Sequence, residues 1–300
     1  MKIIGAGLSG LIAGHIFHGA KIIECNDRIK TNHKALLRFR TNKVSQVTGI
    51  PFRKVVVYKA IWCNGEFHQP NPTMANAYSQ KCTGEILQRS IWNIDPCERW
   101  IAPDNFADQL ADQLADRIVY GVAWNFNEQY DDVETIISTV PMKYLTDKTA
   151  PLFHHKKIHV YRADLGPIYD VFQTVYFPDK KNPIYRATIT GRTLIVESVE
   201  ELSNVNMYDV DAVFDISCRK LKFEMTAQKF GKITPIDDNW RRNFIHQLTL
   251  QRKIYSLGRF AIWKNILLDD VVDDCYVIKR LIRADAYDNI IIRSGYDEPE

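Results

Sequence analysis

The chain has 300 residues, 46% hydrophobic and 25% charged, with a formal net charge of +3, a balance that excludes a disordered or fibrous chain. Its length suits one large domain or two smaller ones, and we take two. No apolar run reaches the roughly 18 to 20 residues of a membrane span, and the six cysteines (Cys25, Cys63, Cys82, Cys97, Cys218, Cys275) form no C-x-x-C pair and no metal-ligand cluster with histidines, so a soluble protein of the reducing cytoplasm without structural metal is expected.

Lys2-Ile3-Ile4 reads as a short apolar strand, and Gly5-Ala6-Gly7-Leu8-Ser9-Gly10 follows at once as G-x-G-x-x-G. Leu8, Leu11, Ile12 and Ile16 form a helical apolar stripe, and Lys21-Ile22-Ile23-Glu24 reads as a second strand ending in an acid. Glu24 stands close to the spacing of roughly 20 residues expected of a carboxylate that binds an adenosine ribose. Each part has a physical task. Gly5 permits the tight turn, Gly7 lets the backbone approach a pyrophosphate, and Gly10 allows close helix-to-strand packing. The N–H groups at Leu8 and Ser9 then stabilise phosphate charge at the helix start. The only charged flank of this glycine-studded stretch is Lys2, which argues against a signal peptide. The fingerprint opens the chain and has no second copy, whereas an enzyme with both a flavin site and a pyridine-nucleotide domain shows two. FAD without NADPH-driven reduction is therefore expected.

Between Arg28 and Lys59 stand nine basic residues (Arg28, Lys30, Lys34, Arg38, Arg40, Lys43, Arg53, Lys54, Lys59) and no acid. Such a block is either a solvated face or a receiver of phosphates, the cofactor's own or those of a nucleotide or nucleic-acid substrate. A near-repeat of A-D-Q-L over Ala107–Asp116 reads as an amphipathic helix leading into a strand at Val119 to Val122. Lys157 to Ala163, Asp170 to Phe177 and Tyr185 to Val199 have β-rich composition bounded by Pro167, Pro178 and Pro183, with a turn over Phe177 to Pro183. His68, His154 and His155 read as loop residues. Tyr185 and Arg186 offer an aromatic wall and a cation suited to a substrate carboxylate or phosphate, or else a strand-pairing role. Near the end, Asp269 and Asp270 sit at a helix N-cap position, and Val271, Cys275, Ile278 and Ile282 make one buried face. The absence of G-x-S-x-G, H-E-x-x-H and Walker motifs disfavours serine hydrolases, zincins and P-loop enzymes.

Gly5 to Gly14 followed by Glu24 resembles the start of the flavin amine oxidase and UDP-galactopyranose mutase superfamily. Glu134-Thr135-Ile136-Ile137-Ser138-Thr139-Val140-Pro141-Met142 resembles the strand and turn where those chains leave the FAD domain, and Ile254 to Trp263 resembles their second flavin motif, a strand and a Gly-Arg turn. The likeness is specific at the ends and middle and weaker over 41–100 and 150–245. It implies an α/β fold: a Rossmann-like FAD-binding domain assembled from 1–45, 100–145 and 245–300, with an interleaved β-rich α+β substrate domain from 46–99 and 146–244 whose mixed sheet faces the flavin. It further implies FAD contacts from Gly258 and Arg259, and from Asp269, Asp270 and Val271 at a helix whose dipole stabilises charge on the reduced flavin. Arg38 and Arg40 are placed next to the cofactor phosphates, and Val119 sends a backbone group to the adenine.

A flavin accepts a hydride from an amine carbon without a dedicated protein acid or base, so no short catalytic signature is required. The function expected is FAD-dependent oxidation of a carbon–nitrogen bond in a small-molecule amine or amino-acid adduct. Two alternatives stay open: a redox-neutral mutase acting on a nucleotide sugar, with arginines holding a diphosphate, and a flavin-binding redox sensor without turnover. The chain's economy at both ends fits a phage-encoded member in the host cytoplasm. With the basic block, its substrate would be hypermodified thymidine in DNA, flipped from the duplex. The oligomeric state is left open.

Overall fold

Short isoleucine-rich strands build the first sheet. The computed structural model describes residues 1–29, 37–86, 90–126, 134–147, 150–202 and 207–294, with the side chains of the last helix described as far as residue 285. In chain order its elements are β1 (Lys2–Ile4), α1 (Leu8–Ile16), β2 (Lys21–Ile23), β3 (Arg38–Phe39), α2 (Lys43–Thr48), β4 (Arg53–Cys63), β5 (Glu66–His68), α3 (Pro72–Thr83), β6 (Cys97–Ile101), α4 (Phe106–Asp112), β7 (Ile118–Val119), β8 (Ile136–Ser138), β9 (His155–Asp164), β10 (Val171–Tyr176), β11 (Ile184–Gly191), β12 (Thr193–Ser198), α5 (Tyr208–Phe214), β13 (Glu224–Ile233), α6 (Asp238–Arg252), β14 (Ile254–Ser256) and α7 (Leu268–Ser294).

Among the described residues, five strands form a parallel sheet in the order β7-β2-β1-β8-β14. Numbered along the chain this is 3-2-1-4-5, the nucleotide-binding order that leaves a crevice where the direction of winding reverses, at the end of β1. Its strands carry adjacent apolar residues, such as Ile3-Ile4 and Ile136-Ile137, because both faces are covered. Ile3, Ile22 and Ile137 bury one face against α1 and α7, whereas Ile4, Ile136 and Ile254 bury the other with Leu248 of α6. Each such fully buried aliphatic side chain contributes about 1.5–3 kcal/mol. The expected stripe on the closing helix is present: Val271, Cys275 and Ile278 are buried in the same core as α1, with Ile282 packed at its edge.

The second sheet has nine strands among the described residues, ordered β13-β9-β12-β11-β10-β4-β6-β3, with β5 attached to β4. It is antiparallel except where β10 runs parallel to β4, with Gln173 opposite Tyr58. The β-rich stretch from Tyr185 to Val199 divides into a hairpin, β11 and β12, because Gly191 turns the chain at φ 62°. His155 belongs to β9 rather than to a loop, and its ring lies 4.7 Å from that of Phe230. The predicted 177–183 turn is held by a residue that the sequence does not single out. Lys81 of α3 is buried, and its Nζ donates to the carbonyls of Phe177, Asp179 and Ile184 at 2.7, 2.8 and 2.5 Å. Arg38–Phe39, although within the 1–45 segment, pairs with β6 in this second sheet, and so brings its wall to the crevice.

Candidate functional site

The crevice is built from the glycine loop upward. Gly5 takes φ 96°, where a Cβ would stand 2.3 Å from Thr139 Oγ1, and a Cβ on Gly10 would stand 1.9 Å from the Gly5 carbonyl oxygen. Only glycine fits either place. Gly7 differs: nothing lies within 4 Å of where its Cβ would be. It is the N-cap of α1 and supplies no side-chain cap, so the first helical N–H groups, at Leu8 and Ser9 among others, are left as orphan donors at the open end of the loop.

Glu24 follows β2 directly, one residue past the strand end at Ile23, and it is buried. Its Oε2 accepts from Ala6 N–H at 2.9 Å and its Oε1 from Asn26 N–H at 3.0 Å. Burial pushes the carboxyl up, but those donors outweigh it and hold the group below the usual carboxylate range. Beside it, Val119 is half exposed and its carbonyl is taken by the Glu24 N–H at 2.9 Å. Glu24 and Val119 flank the far side of the loop from the cavity described next.

On the near side lies a cavity of about 490 Å³. Gly7, Leu8, Ser9 and Thr139 form its base; Leu257 to Phe260, Ile266 to Leu268 and Val271 give one wall; Leu37 to Phe39 and Ala227 to Phe230 give the other. The Gly258-Arg259 turn is fixed at both ends. Gly258 takes φ 89° and stands where a Cβ would meet Ser9 at 2.5–2.8 Å, and Arg259 donates through Nη2 to the Gly231 carbonyl of β13 at 3.2 Å. The amino end of α7 reaches the cavity through Leu268 and Val271.

Several expected site residues are used otherwise. The carboxylates of Asp269 and Asp270 do not line the cavity. α7 begins at Leu268, so both fall in its first turn and reach back along the chain: Asp269 accepts from the N–H groups of Arg40 and Thr41 at 3.0 and 3.1 Å, and Asp270 from that of Leu267 at 2.7 Å. Arg40 lies outside the cavity, largely exposed, with Asp270 3.9 Å away. Arg38 lines the cavity but points across the second sheet, donating to Thr174 Oγ1 at 2.7 Å and the Ile189 carbonyl at 3.0 Å.

Tyr185 and Arg186 do not wall the cavity either. A β-bulge between Ile184 and Arg186 lets consecutive side chains act on one face. Tyr185, fully buried, donates its hydroxyl to Glu197 Oε1 at 2.9 Å, and Arg186 donates to the same carboxylate through Nε and, at 2.8 Å, Nη2. The arginine's charge is already matched. Lys232 sits 4.4 Å over the Tyr185 ring. Burial, then Arg186 and Arg259, lower its pKa to about 8. Glu197 on β12, and Gln228 and Lys232 on β13, escape sequence reading because neither strand carries a motif; the one signal on β13 is Gly231, where a Cβ would stand 2.2 Å from Ile158.

The basic block is not a free cationic surface. Lys43, Arg53 and Lys54 pair with Asp273, Asp170 and Glu98, each at 2.7 Å. Lys59 donates to the Asn93 carbonyl at 3.4 Å, and Arg28 is exposed. Lys30 and Lys34 lie outside the described residues. Acids from distant parts of the chain therefore neutralise much of what the local sequence presents as a phosphate receiver. No described helix is long and apolar enough to cross a membrane, and the described residues contain no metal-binding group of His, Cys, Asp and Glu.

No protein-family model matches the chain, and no curated protein matches its sequence. Among solved structures it is similar to reduced UDP-galactopyranose mutase, with a TM-score of 0.67 and 13% identity over 94% of this chain and 93% of that one. A candidate FAD-containing monooxygenase from Photorhabdus luminescens subsp. laumondii (12% identity, 99% and 90% coverage) and an oxidoreductase from Methanosarcina mazei (10% identity, 93% and 100% coverage) each align with a TM-score of 0.49. At such identities the likeness to the mutase is one of architecture, and the chain has that α/β fold, a Rossmann-like parallel sheet joined to a curled mixed sheet.

Proposed function

We propose that the crevice holds FAD and that the protein is a flavin-dependent oxidoreductase acting on a small molecule. The observation that carries this is the uncapped amino end of α1, open over Gly7, with ionised Glu24 on one side and the 490 Å³ cavity on the other. These residues fit the cofactor in order. The N–H groups after Gly7 would hold a pyrophosphate, Glu24 would face the adenosine ribose, and the cavity between Gly258 and Phe230 would enclose the flavin. The amino end of α7 would favour negative charge there. Bound flavin would supply hydride or electron transfer; the chain's own part is to orient it and exclude water, with Leu257, Phe260 and Phe230 giving apolar walls.

For the reaction, oxidation of a carbon–nitrogen bond in an amine or amino-acid adduct is the first reading. A redox-neutral mutase acting on a nucleotide sugar is the second, favoured by the fold shared with UDP-galactopyranose mutase and by the cations behind the sheet wall. The test is a visible absorption spectrum of the purified protein with chromatography of the heat-released cofactor. Bound FAD supports the assignment; a colourless protein that takes up NAD but not FAD overturns it. Anaerobic bleaching by amines would then select the first reaction, and isomerisation of a nucleotide sugar only after flavin reduction the second.

A further inference from the structure

We infer that Lys143 is a positioning residue for the cavity: from outside it, the lysine ammonium holds the Phe230 ring in place as a wall that faces the flavin, and this rests on reading the crevice as a flavin site. Phe230 lines the cavity, whereas Lys143 does not. Strand β13 pairs with β9 as far as Gln228 and resumes at Lys232, so the backbone that carries this ring is released from the ladder. Beyond the Arg259 bond to the carbonyl of the next residue, Gly231, the ring is fixed by its side-chain contacts.

Those contacts differ in kind. The rings of Phe260, Trp263 and His155 lie 5.4, 6.2 and 4.7 Å from that of Phe230, at interplanar angles of 47°, 82° and 51°. They fill the space around it. Lys143 Nζ stands over the ring, 4.6 Å from its centroid. An ammonium there is drawn to the negative ring face, and this sets the direction in which the ring turns as well as the room it has. Lys229 Nζ is also over the ring, at 5.6 Å, but it is exposed and belongs to the same released stretch, so it moves with the ring it would hold. Lys143 comes from a fixed part of the chain. The residue before it, Met142, is fully buried with Ile233 and Trp263 and donates its N–H to the Phe260 carbonyl at 2.9 Å. The same ammonium lies 4.9 Å over the Tyr144 ring, which keeps it at this place. The turn after β8 of the parallel sheet thereby steadies a wall contributed by the second sheet.

The test compares the FAD-loaded full chain with Lys143→Met, which loses the charge, and with Lys143→Arg, which keeps a cation able to sit over a ring. Amide hydrogen exchange over 229–231 should be about threefold faster in Lys143→Met, as expected for losing one cation–π contact, and unchanged over 224–228. Lys143→Arg should exchange like the wild type. The visible band of bound FAD should lose its vibrational shoulders in Lys143→Met alone, as water reaches the flavin. In a Phe230→Leu background Lys143→Met should add nothing, since the ring it acts on is gone. Wild-type exchange over 229–231 in Lys143→Met, faster exchange throughout the second sheet, or Lys143→Arg exchanging like Lys143→Met overturns the inference. An unaltered flavin band overturns the placement of this ring against the flavin. Should Lys143→Met not fold, Lys143→Gln takes its place. If the wild type takes up no FAD, the flavin reading fails separately, and the exchange measurement, which needs no cofactor, still decides whether Lys143 holds Phe230.

Discussion

Replacing Glu197 by glutamine preserves shape and removes one charge from the heart of the second sheet. The side chain is 3% exposed and serves Arg186 and Tyr185 together. Burial pushes its carboxyl up, but Arg186 and Lys232 prevail and hold it below the usual range. Leaving one partner of a buried pair uncompensated costs about 3–5 kcal/mol. Arg186 keeps 29% of its side chain in water, which places the loss near the lower end, at roughly 3 kcal/mol. At about 2–4 °C per kcal/mol for domains of this class, the melting temperature at neutral pH should fall by roughly 6–12 °C. The acid limb gives an independent check. A carboxylate with a depressed folded pKa stabilises above its unfolded pKa and loses that contribution as pH falls through the folded value. Wild type and Glu197→Gln should thus differ at neutrality and converge in acid, as followed by circular dichroism melts. Adding Arg186→Met to the variant should recover part of the loss. A neutral-pH melting temperature within about 1 °C of wild type, or parallel curves down to low pH, would refute the claim that this pair is buried and compensated.

The glycine loop separates two roles that one motif combines. Gly10→Ala should cost at least about 3 kcal/mol, because its methyl would overlap the Gly5 carbonyl and both atoms belong to packed backbone. Gly7→Ala should change stability by less than about 0.5 kcal/mol yet weaken FAD binding, since its methyl projects into open space at the loop; denaturant melts and cofactor titration distinguish the two. Lys81→Met should destabilise by about 3 kcal/mol, as three carbonyls lose one donor, and should make the 177–184 segment the first site of limited proteolysis. Asp269→Ala should free the Arg40–Thr41 turn and lower the melting temperature by several degrees, with a loss of roughly 2 kcal/mol.

What the sequence made legible was local. Gly5, Gly7, Gly10 and Glu24 lie on one strand-helix-strand unit whose geometry is set within a short stretch of chain, so spacing alone located the loop. The Gly258 turn and the apolar face of α7 were legible for the same reason. What stayed hidden depends on pairing between distant segments. Arg38 looked like a phosphate ligand, but β3 joins β6, and this turns its guanidinium toward Thr174. Tyr185 and Arg186 looked like a pocket wall, but the bulge beside them hands both to Glu197. The basic block looked like a patch because Asp170 and Asp273, which neutralise two of its members, come from remote parts of the chain. Periodicity reports which face is apolar; it carries no record of which strand becomes the neighbour.

The interruption of β13 has a use for engineering. Glu224 to Gln228 are registered against β9 from Arg162 to Ile158, and Lys232 and Ile233 resume against Lys156 and His155. The residues between, Lys229 to Gly231, are therefore released from the ladder, and two of them, Lys229 and Phe230, border the cavity. Pairing on either side clamps the ends of this short arch independently. Gly231 is held there by Ile158 and by the Arg259 bond to its carbonyl, so the freedom lies at Lys229 and Phe230, whose side chains can be exchanged to reshape what the cavity admits while the sheet that carries them keeps its alignment.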